Sequence, residues 1–184
     1  MITANDILSF WFVETDKSFH FKKSDAFDAK IRGRFEDMSI RLAAEIRQPP
    51  HDWEQSPEST LALIIALDQF PRNMYRDTPA AFAWDEMACA IAKRLIDKGW
   101  DLKIKQDRRA FAYMPLMHSE NLSDQNLCVD LVDKRLNDEG TLKHARAHRD
   151  VIKQFGRFPH RNEILGRKST TQEDAFLSGG GYSP

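Results

Sequence analysis

The sequence predicts an all-α protein of seven or eight helices packed as antiparallel pairs. Apolar residues recur every three or four positions along most of the chain, which is the spacing of amphipathic helices. No segment shows the sustained alternation of apolar and polar residues that predicts a strand. Residues 61–67 are apolar on every side of a helix, which is typical of a helix in the middle of a core.

The central helix is expected to start at Ser56 and Pro57, an N-cap followed by a proline at the first helical position, and to end at Pro71. Its apolar run of roughly 12 residues is shorter than the ~20 needed to cross a bilayer. Asp68 falls on the packed side of this helix, so its carboxylate must find a cation or hydrogen-bond donors. Arg72 lies one turn further on.

The other helices are predicted from apolar stripes and from their start and stop signals. Before the central helix we expect a short helix capped by Thr3 or Asn5, and a helix of about six turns from Ser24 to Ile46 that Pro49 and Pro50 end. After it we expect helices from Thr78 to Gly99, from Gln106 to Met117 with an interruption at Pro115, from Ser123 to Gly140, from Thr141 to Gly156, and a short one opened by the capping box of Thr170 and Glu173. Residues 157–169 are predicted to form an ordered loop. Residues 1–178 are expected to form one domain, with a flexible tail over 179–184.

The composition excludes several classes of protein. A hydrophobic content of 41%, with 12 Phe and 4 Trp, supplies a core and argues against disorder. Cys89 and Cys128 lie in helical patterns, and the N-terminus does not read as a signal peptide, so we expect free thiols and a cytoplasmic protein with no membrane span. A net charge of −1 and a pI of 6.6 make nucleic acid an unlikely partner.

The positive charge is concentrated near the C-terminus. Residues 142–168 hold eight Lys and Arg against Asp150 and Glu163, a local charge of +6. This asymmetry predicts a segment that either faces an anion or is paired within the molecule.

Polar residues are concentrated in three runs, DQFPRN (68–73), AYMPLMHSENLSDQ (112–125) and GRFPHRN with LGRKST (156–170). The first and third share an echo, QFPRN and QFGRFPHRN, at the ends of two predicted helices. Arginine forks suit carboxylate and phosphate groups. The ligand-binding candidates are Arg72, Asn73, Arg157, Arg161, Asn162 and Arg167. The residues of an accompanying structural polar cluster are Asp68, Gln69 and Glu120. The alternative is that the arginines only tie these acids and helix-end carbonyls together.

Three histidines, His118, His148 and His160, are candidates for a general acid or base beside a bound anion. His144 and His148 could share one helical face, but no third metal ligand follows from the spacing, so no metal site is predicted. The chain has no GxSxG, no phosphate-binding glycine loop and no dinucleotide fingerprint, and we predict no cofactor.

Five runs carry a resemblance to a known family: ILSFWF (7–12), LALIIALDQFPRNMYR (61–76), AFAWD (81–85), AFAYMPLMHSE (110–120) and FGRFPHRNEILGRKST (155–170). In this order they closely resemble the motifs of the bacterial family known as domain of unknown function 924. The resemblance implies an all-helical, tetratricopeptide-like superhelix or bundle. It implies no established activity.

Two functional hypotheses remain open. The first is binding of a small anionic ligand, or of an acidic or C-terminal peptide segment, at the Arg- and His-rich cluster. The second is a hydrolase or transferase that acts on an anionic substrate with a histidine as proton carrier. An enzyme is expected to have a concave pocket in which a histidine and an arginine converge, whereas arginines saturated by acids and carbonyls, without a cavity, would favour a binding or structural role.

Overall fold

The protein is all-helical, as predicted. The structure is a computed structural model that describes residues 2–45 and 50–182, and these residues form eight helices and no strand. The helices are α1 (Ala4–Ser9, continued by a π-helical turn over Phe10–Glu14), α2 (Asp25–Glu45), α3 (Pro57–Ile64, a π-helical turn over Ile65–Gln69, then Phe70–Met74), α4 (Asp85–Asp97), α5 (Gln106–His118), α6 (Leu122–Arg135), α7 (Glu139–Phe155) and α8 (Thr171–Ser178). Within these two ranges no helix is both long and apolar enough to cross a membrane.

The α3 helix lies at the centre of a helical bundle. None of residues 61–67 is more than 2% exposed, as the uniformly apolar run predicts. Helices α1, α2, α4 and α5 all contact α3, and α5, α6 and α7 pack against one another in succession. The links between α5, α6 and α7, residues 119–121 and 136–138, have three residues each, so successive helices return alongside one another.

The start of α3 is as predicted, but its predicted end is wrong. Ser56 caps the helix by accepting a hydrogen bond from the Ser59 backbone N–H. Pro71 does not end it. The Phe70 N–H bonds to the Ile65 carbonyl five residues back, and the chain stays helical to Met74. Pro71 stands in the first turn after this widened π-helical turn, a place where a missing N–H is tolerated.

Three other predicted boundaries differ from the structure because side chains cap the helices elsewhere. Asn121 accepts from the Ser123 N–H, so α6 starts before Ser123, and it ends at Arg135 rather than near Gly140. Asp138 accepts from the Thr141 N–H, so α7 begins two residues before Thr141. An Asp or Asn side chain that accepts a hydrogen bond from a backbone N–H two or three residues later is a favourable N-cap. Each helix therefore starts directly after its capping residue, earlier in the chain than predicted.

Two prolines also behave differently from the prediction. Thr78 and Pro79 open a short 3-10 turn over Pro79–Phe82, and the α-helix starts only at Asp85. Pro115 does not interrupt α5, which continues to His118 with Pro115 buried in its interior. Packing of this buried turn outweighs the loss of one backbone hydrogen bond. The predicted helix residue Ile46 and the predicted stop residue Pro49 lie outside the described residues.

The C-terminal part folds back over α7. Residues 157–169 form a loop with one 3-10 turn, Pro159–Arg161, and the capping box of Thr170 and Glu173 opens α8, both as predicted. The Phe176 ring lies 5.0 Å from that of Phe155, and the Tyr182 ring lies 5.1 Å from that of His148. Val151, Ile152 and Phe158 are the buried residues of a small second apolar cluster, and the rings of Phe155, Phe176 and Tyr182 pack against it.

Two glycines offer a matched test of how α7 ends. Gly156 has a φ of 70°, whereas Gly33 lies within α2 with no atom within 4 Å of the position a Cβ would take. We expect Gly156→Ala to lower the free energy of unfolding by about 1 kcal/mol, because an alanine side chain disfavours the left-handed region. Gly33→Ala should raise it by roughly 0.5–1 kcal/mol. Urea titrations of both variants measure the difference, and equal shifts would contradict this account of the α7 end.

Candidate functional site

The Asp68 carboxylate is the buried centre of the polar residues. It is 0% exposed and lies in the π-helical turn of α3. Oδ1 accepts a hydrogen bond from Nδ1 of His118 at 2.7 Å and lies 3.3 Å from the Arg72 guanidinium. Gln69 donates its side-chain amide to Oδ2. The predicted burial of this carboxylate and its predicted need for a cation and donors are therefore confirmed.

The protonation states of this pair follow from its surroundings. Burial by itself would raise the pKa of the Asp68 carboxyl, but the charge of Arg72 and the hydrogen bonds from His118 and Gln69 outweigh burial and lower that pKa. Burial and the positive charge of Arg72 lower the pKa of His118 below its ordinary value. Near neutral pH Asp68 is thus ionised and His118 is neutral. Because a carboxylate only accepts, Nδ1 of His118 carries the proton and Nε2 carries the lone pair.

Asp85, the first residue of α4, holds two arginines. Arg72 binds both of its carboxylate oxygens, at 2.8 and 2.9 Å, and also donates to the Asp68 carbonyl. Arg161 reaches the same carboxylate with Nη1 at 3.3 Å. The two arginines occupy matching places in the repeated turn sequences, FPRN and FPHRN. The echo in the sequence therefore corresponds to two arginines that converge on one acid.

Arg161 has fewer partners than the other arginines of the cluster. Its guanidinium lies between two aromatic rings, 4.6 Å from the Phe82 centroid and 4.5 Å from the Phe158 centroid. The side chain is 7% exposed, and its buried Nε has no hydrogen-bond partner among the described residues. Burial and the charge of Arg72 lower the pKa of Arg161 to about 10, so it is still a cation near neutral pH. An arginine that packs against two rings and has unused donors is suited to receive a planar anion.

A cleft of about 750 Å³ opens beside these residues. Its wall combines polar side chains with apolar ones from the 3-10 turn before α4, from the start of α6 and from the C-terminal loop. The lining residues are Pro79, Phe82, Ala83, Asp85, Glu86, Cys89, His118, Ser119, Glu120, Asn121, Leu122, Arg161 and Leu165. Another depression, of about 400 Å³, lies at residues 133–139 and contains none of the predicted site residues. His118 and Arg161 therefore converge on one concave surface.

Comparisons with known proteins show to which family the chain belongs. A family model described as a bacterial protein of unknown function, domain of unknown function 924, matches residues 7–181. The chain belongs to this family. It is also similar to a solved structure of a protein of unknown function from Agrobacterium tumefaciens, with 38% sequence identity, a TM-score of 0.88, and coverage of 96% of this chain and 97% of the other. Among curated proteins, no match was found.

In this family member, three of the four predicted ligand-binding arginines are saturated by protein groups: Arg72, through Asp68 and Asp85, and also Arg157 and Arg167. Arg167 donates to both Glu120 oxygens, at 2.7 and 3.0 Å, and also to the Asn162 side chain and the Phe158 carbonyl. Arg157 binds Glu173 at 2.6 and 2.8 Å and does not line the cleft. These pairs fasten the C-terminal loop and α8. Five of the eight Lys and Arg of residues 142–168 form ion pairs within the molecule, which is one of the two outcomes predicted for this segment.

The predicted amides are likewise engaged away from the cleft. Asn73 donates to Asp28, which also holds Arg76, and so joins α3 to α2. Asn162 donates to the Ser169 hydroxyl and accepts from Arg167. Asn73 therefore connects α3 to α2, and Asn162 connects two parts of the C-terminal loop.

Of the three candidate histidines, His118 lines the cleft and the other two do not. His148 is 4% exposed, donates from Nδ1 to the His144 carbonyl, and has its ring 6.3 Å from that of His118. His160 is part-buried with its ring 5.5 Å from that of Phe158. Burial lowers the pKa of His148 to about 3 and that of His160 to about 4. His144, one helical turn before His148, is exposed.

Two cleft residues, Phe82 and Asp85, and the buried Phe158 are not among the predicted site residues. The run AFAWD contains two of these three residues, so its place among the family motifs was a usable signal. The cleft also contains Cys89, whose thiol donates to Asp124 at 3.4 Å and whose pKa burial raises to about 12. A thiol with such a pKa is protonated and a poor nucleophile.

Proposed function

We propose that this protein binds a small carboxylate, or the C-terminal carboxylate of a peptide, in the cleft beside α4, with Arg161 as the anchor. The proposal rests on one observation. Arg161 is buried between two phenyl rings in the cleft wall, and within residues 2–45 and 50–182 its donors are met only by a single 3.3 Å contact to Asp85. A buried donor without a partner is costly, so an anion that bonds to the unused donors of this guanidinium would be favoured.

The charges around Arg161 favour a carboxylate over a phosphate. Asp85, Glu86 and Glu120 all line the same cleft, and a dianion beside them would meet more repulsion than a monoanion. A planar carboxylate also matches the edge of one guanidinium. The apolar lining, which includes Pro79 and Leu165, suits a ligand with an apolar body.

Thermal unfolding with glutaric acid monoanilide, which joins a carboxylate to an apolar ring, tests the proposal. A ligand at 100 times its Kd stabilises the folded state by about 2.7 kcal/mol. For a Kd of about 0.1 mM this concentration is about 10 mM, and we then expect the parent Tm to rise by several degrees. Arg161→Gln should lose this rise. Arg157→Gln should keep it, since Arg157 lies outside the cleft although it too is a paired arginine.

Inorganic phosphate at the same concentration is the comparison ligand. A smaller rise with phosphate than with the anilide is expected. An unchanged Tm with the anilide, or an equal rise in Arg161→Gln and the parent, would refute Arg161 as the anchor.

A further inference from the structure

We infer that His118 is a general base that activates water against an ester bond of a carboxylate-bearing substrate, with Asp68 as its positioning residue. This inference rests on the proposed carboxylate site, because Arg161 would hold the substrate in the cleft that His118 lines. It adds hydrolysis to binding.

The geometry of the pair is that of an oriented base. His118 is the last residue of α5, and its side chain is 16% exposed, whereas Asp68 is fully buried. The 2.7 Å bond from Nδ1 to Asp68 fixes the ring and the tautomer. Nε2 makes no hydrogen bond to any residue in the described ranges, and the ring lines the cleft. A neutral imidazole with a buried carboxylate behind it and open space in front can accept a proton.

The residues packed around His118 keep it neutral. Arg72 and Asp68 face it from α3, Asp85 from α4 and His148 from α7. Burial and Arg72 disfavour the protonated imidazole, while the two acids partly offset them. The base is therefore in its active form at neutral pH, and an imidazolium formed during the reaction is stabilised by Asp68.

The neighbouring nucleophiles are engaged, which leaves water as the attacking group. The Cys89 thiol is protonated, and the Ser119 hydroxyl donates to Asp124 at 2.9 Å. In the proposed step, Nε2 of His118 takes a proton from water as the water oxygen bonds to the acyl carbon. The carbon–oxygen bond of the ester then breaks, and the proton passes from Nε2 to the leaving alkoxide or phenoxide. The products are a carboxylic acid and an alcohol.

The mono(4-nitrophenyl) ester of glutaric acid, an ester counterpart of the monoanilide, tests this step. Release of 4-nitrophenol should be faster with the parent than with His118→Gln by about 100-fold or more in kcat/KM, which is the usual contribution of a general base. His144→Gln is the matched control for histidine chemistry on the exposed surface, and its rate should equal that of the parent. A rate slowed in D₂O for the parent gives a second sign of proton transfer that needs no variant.

Asp68→Asn separates positioning from binding. It should lower kcat while leaving the KM for the ester and the stabilisation by the anilide near the parent values, because the amide can reverse the tautomer of His118 without changing the Arg161 anchor. Equal losses in kcat and in anilide binding would mean that Asp68 acts only through folding.

The results with the anilide and with the ester distinguish the binding proposal from the inference of hydrolysis. If the anilide binds in an Arg161-dependent way but the ester is cleaved no faster by the parent than by His118→Gln, the hydrolytic inference is wrong and the binding function stands. If neither ligand interacts with the protein, both are wrong.

Discussion

Substitution of Asp68 by alanine is expected to lower the free energy of unfolding by about 3 kcal/mol, at the low end of the range for breaking a buried ion pair. The variant removes the acceptor of the His118 Nδ1–H and one of two carboxylates beside Arg72. The cost stays at the low end because Arg72 keeps its two bonds to Asp85. Chemical denaturation near neutral pH, where Asp68 is ionised, measures the effect.

Asp130→Ala is the matched control. Asp130 pairs with Lys134 one turn along α6, and both side chains are more than half exposed. A surface pair of this kind contributes roughly 0.3–0.5 kcal/mol, so this variant should remain close to the parent. Similar losses in the two variants would mean that Asp68 is not a buried electrostatic centre.

The second large effect is a loss of stability in mild acid, caused by His148 and His160. The folded-state pKa values of about 3 and about 4 lie below the ordinary 6.5, chiefly because of burial. Below pH 6.5 the unfolded chain therefore binds protons that the folded chain does not, and stability falls as the pH falls. Each histidine contributes a slope of up to about 1.4 kcal/mol per pH unit in this window.

The groups around His148 explain why its pKa is low in the folded state. His118, His160 and Arg161 disfavour its protonation, the His144 carbonyl favours it, and the Tyr182 ring covers it. His148→Leu should retain the burial and remove about 1.4 kcal/mol per pH unit from the slope between pH 6.5 and about 4. Urea titrations across this range measure it. Above pH 7 the histidine contribution to the slope should vanish in both proteins, and an unchanged acid slope in the variant would contradict the assignment.

The sequence predicts those parts of the molecule that depend on local chemistry. The burial of residues 61–67 follows from a run that is apolar all round, and the burial of Asp68 follows from its position on that helix. The caps at Ser56 and Thr170 likewise depend on neighbours within four residues. These features could be predicted because the residues that determine them are close in the chain.

The partners of the arginines could not be predicted in this way. Arg167 meets Glu120 from 47 residues away, and Arg161 meets Asp85 from 76 residues away. Which acid each arginine reaches is decided by how the C-terminal loop packs against α4 and α5. For the same reason the sequence placed six ligand-binding candidates in one cluster, whereas only Arg161 among them lines the cleft.

The widened π-helical turn at Ile65–Gln69 determines the direction in which the later side chains of α3 point. One residue more or fewer in a helix rotates the downstream side chains by about 100° about the axis. If the same five residues wound as regular α-helix, Arg72 would be rotated by about 100° away from Asp85. The meeting of α3 and α4 at this carboxylate thus depends on the innermost helix taking up one extra residue in a single wide turn.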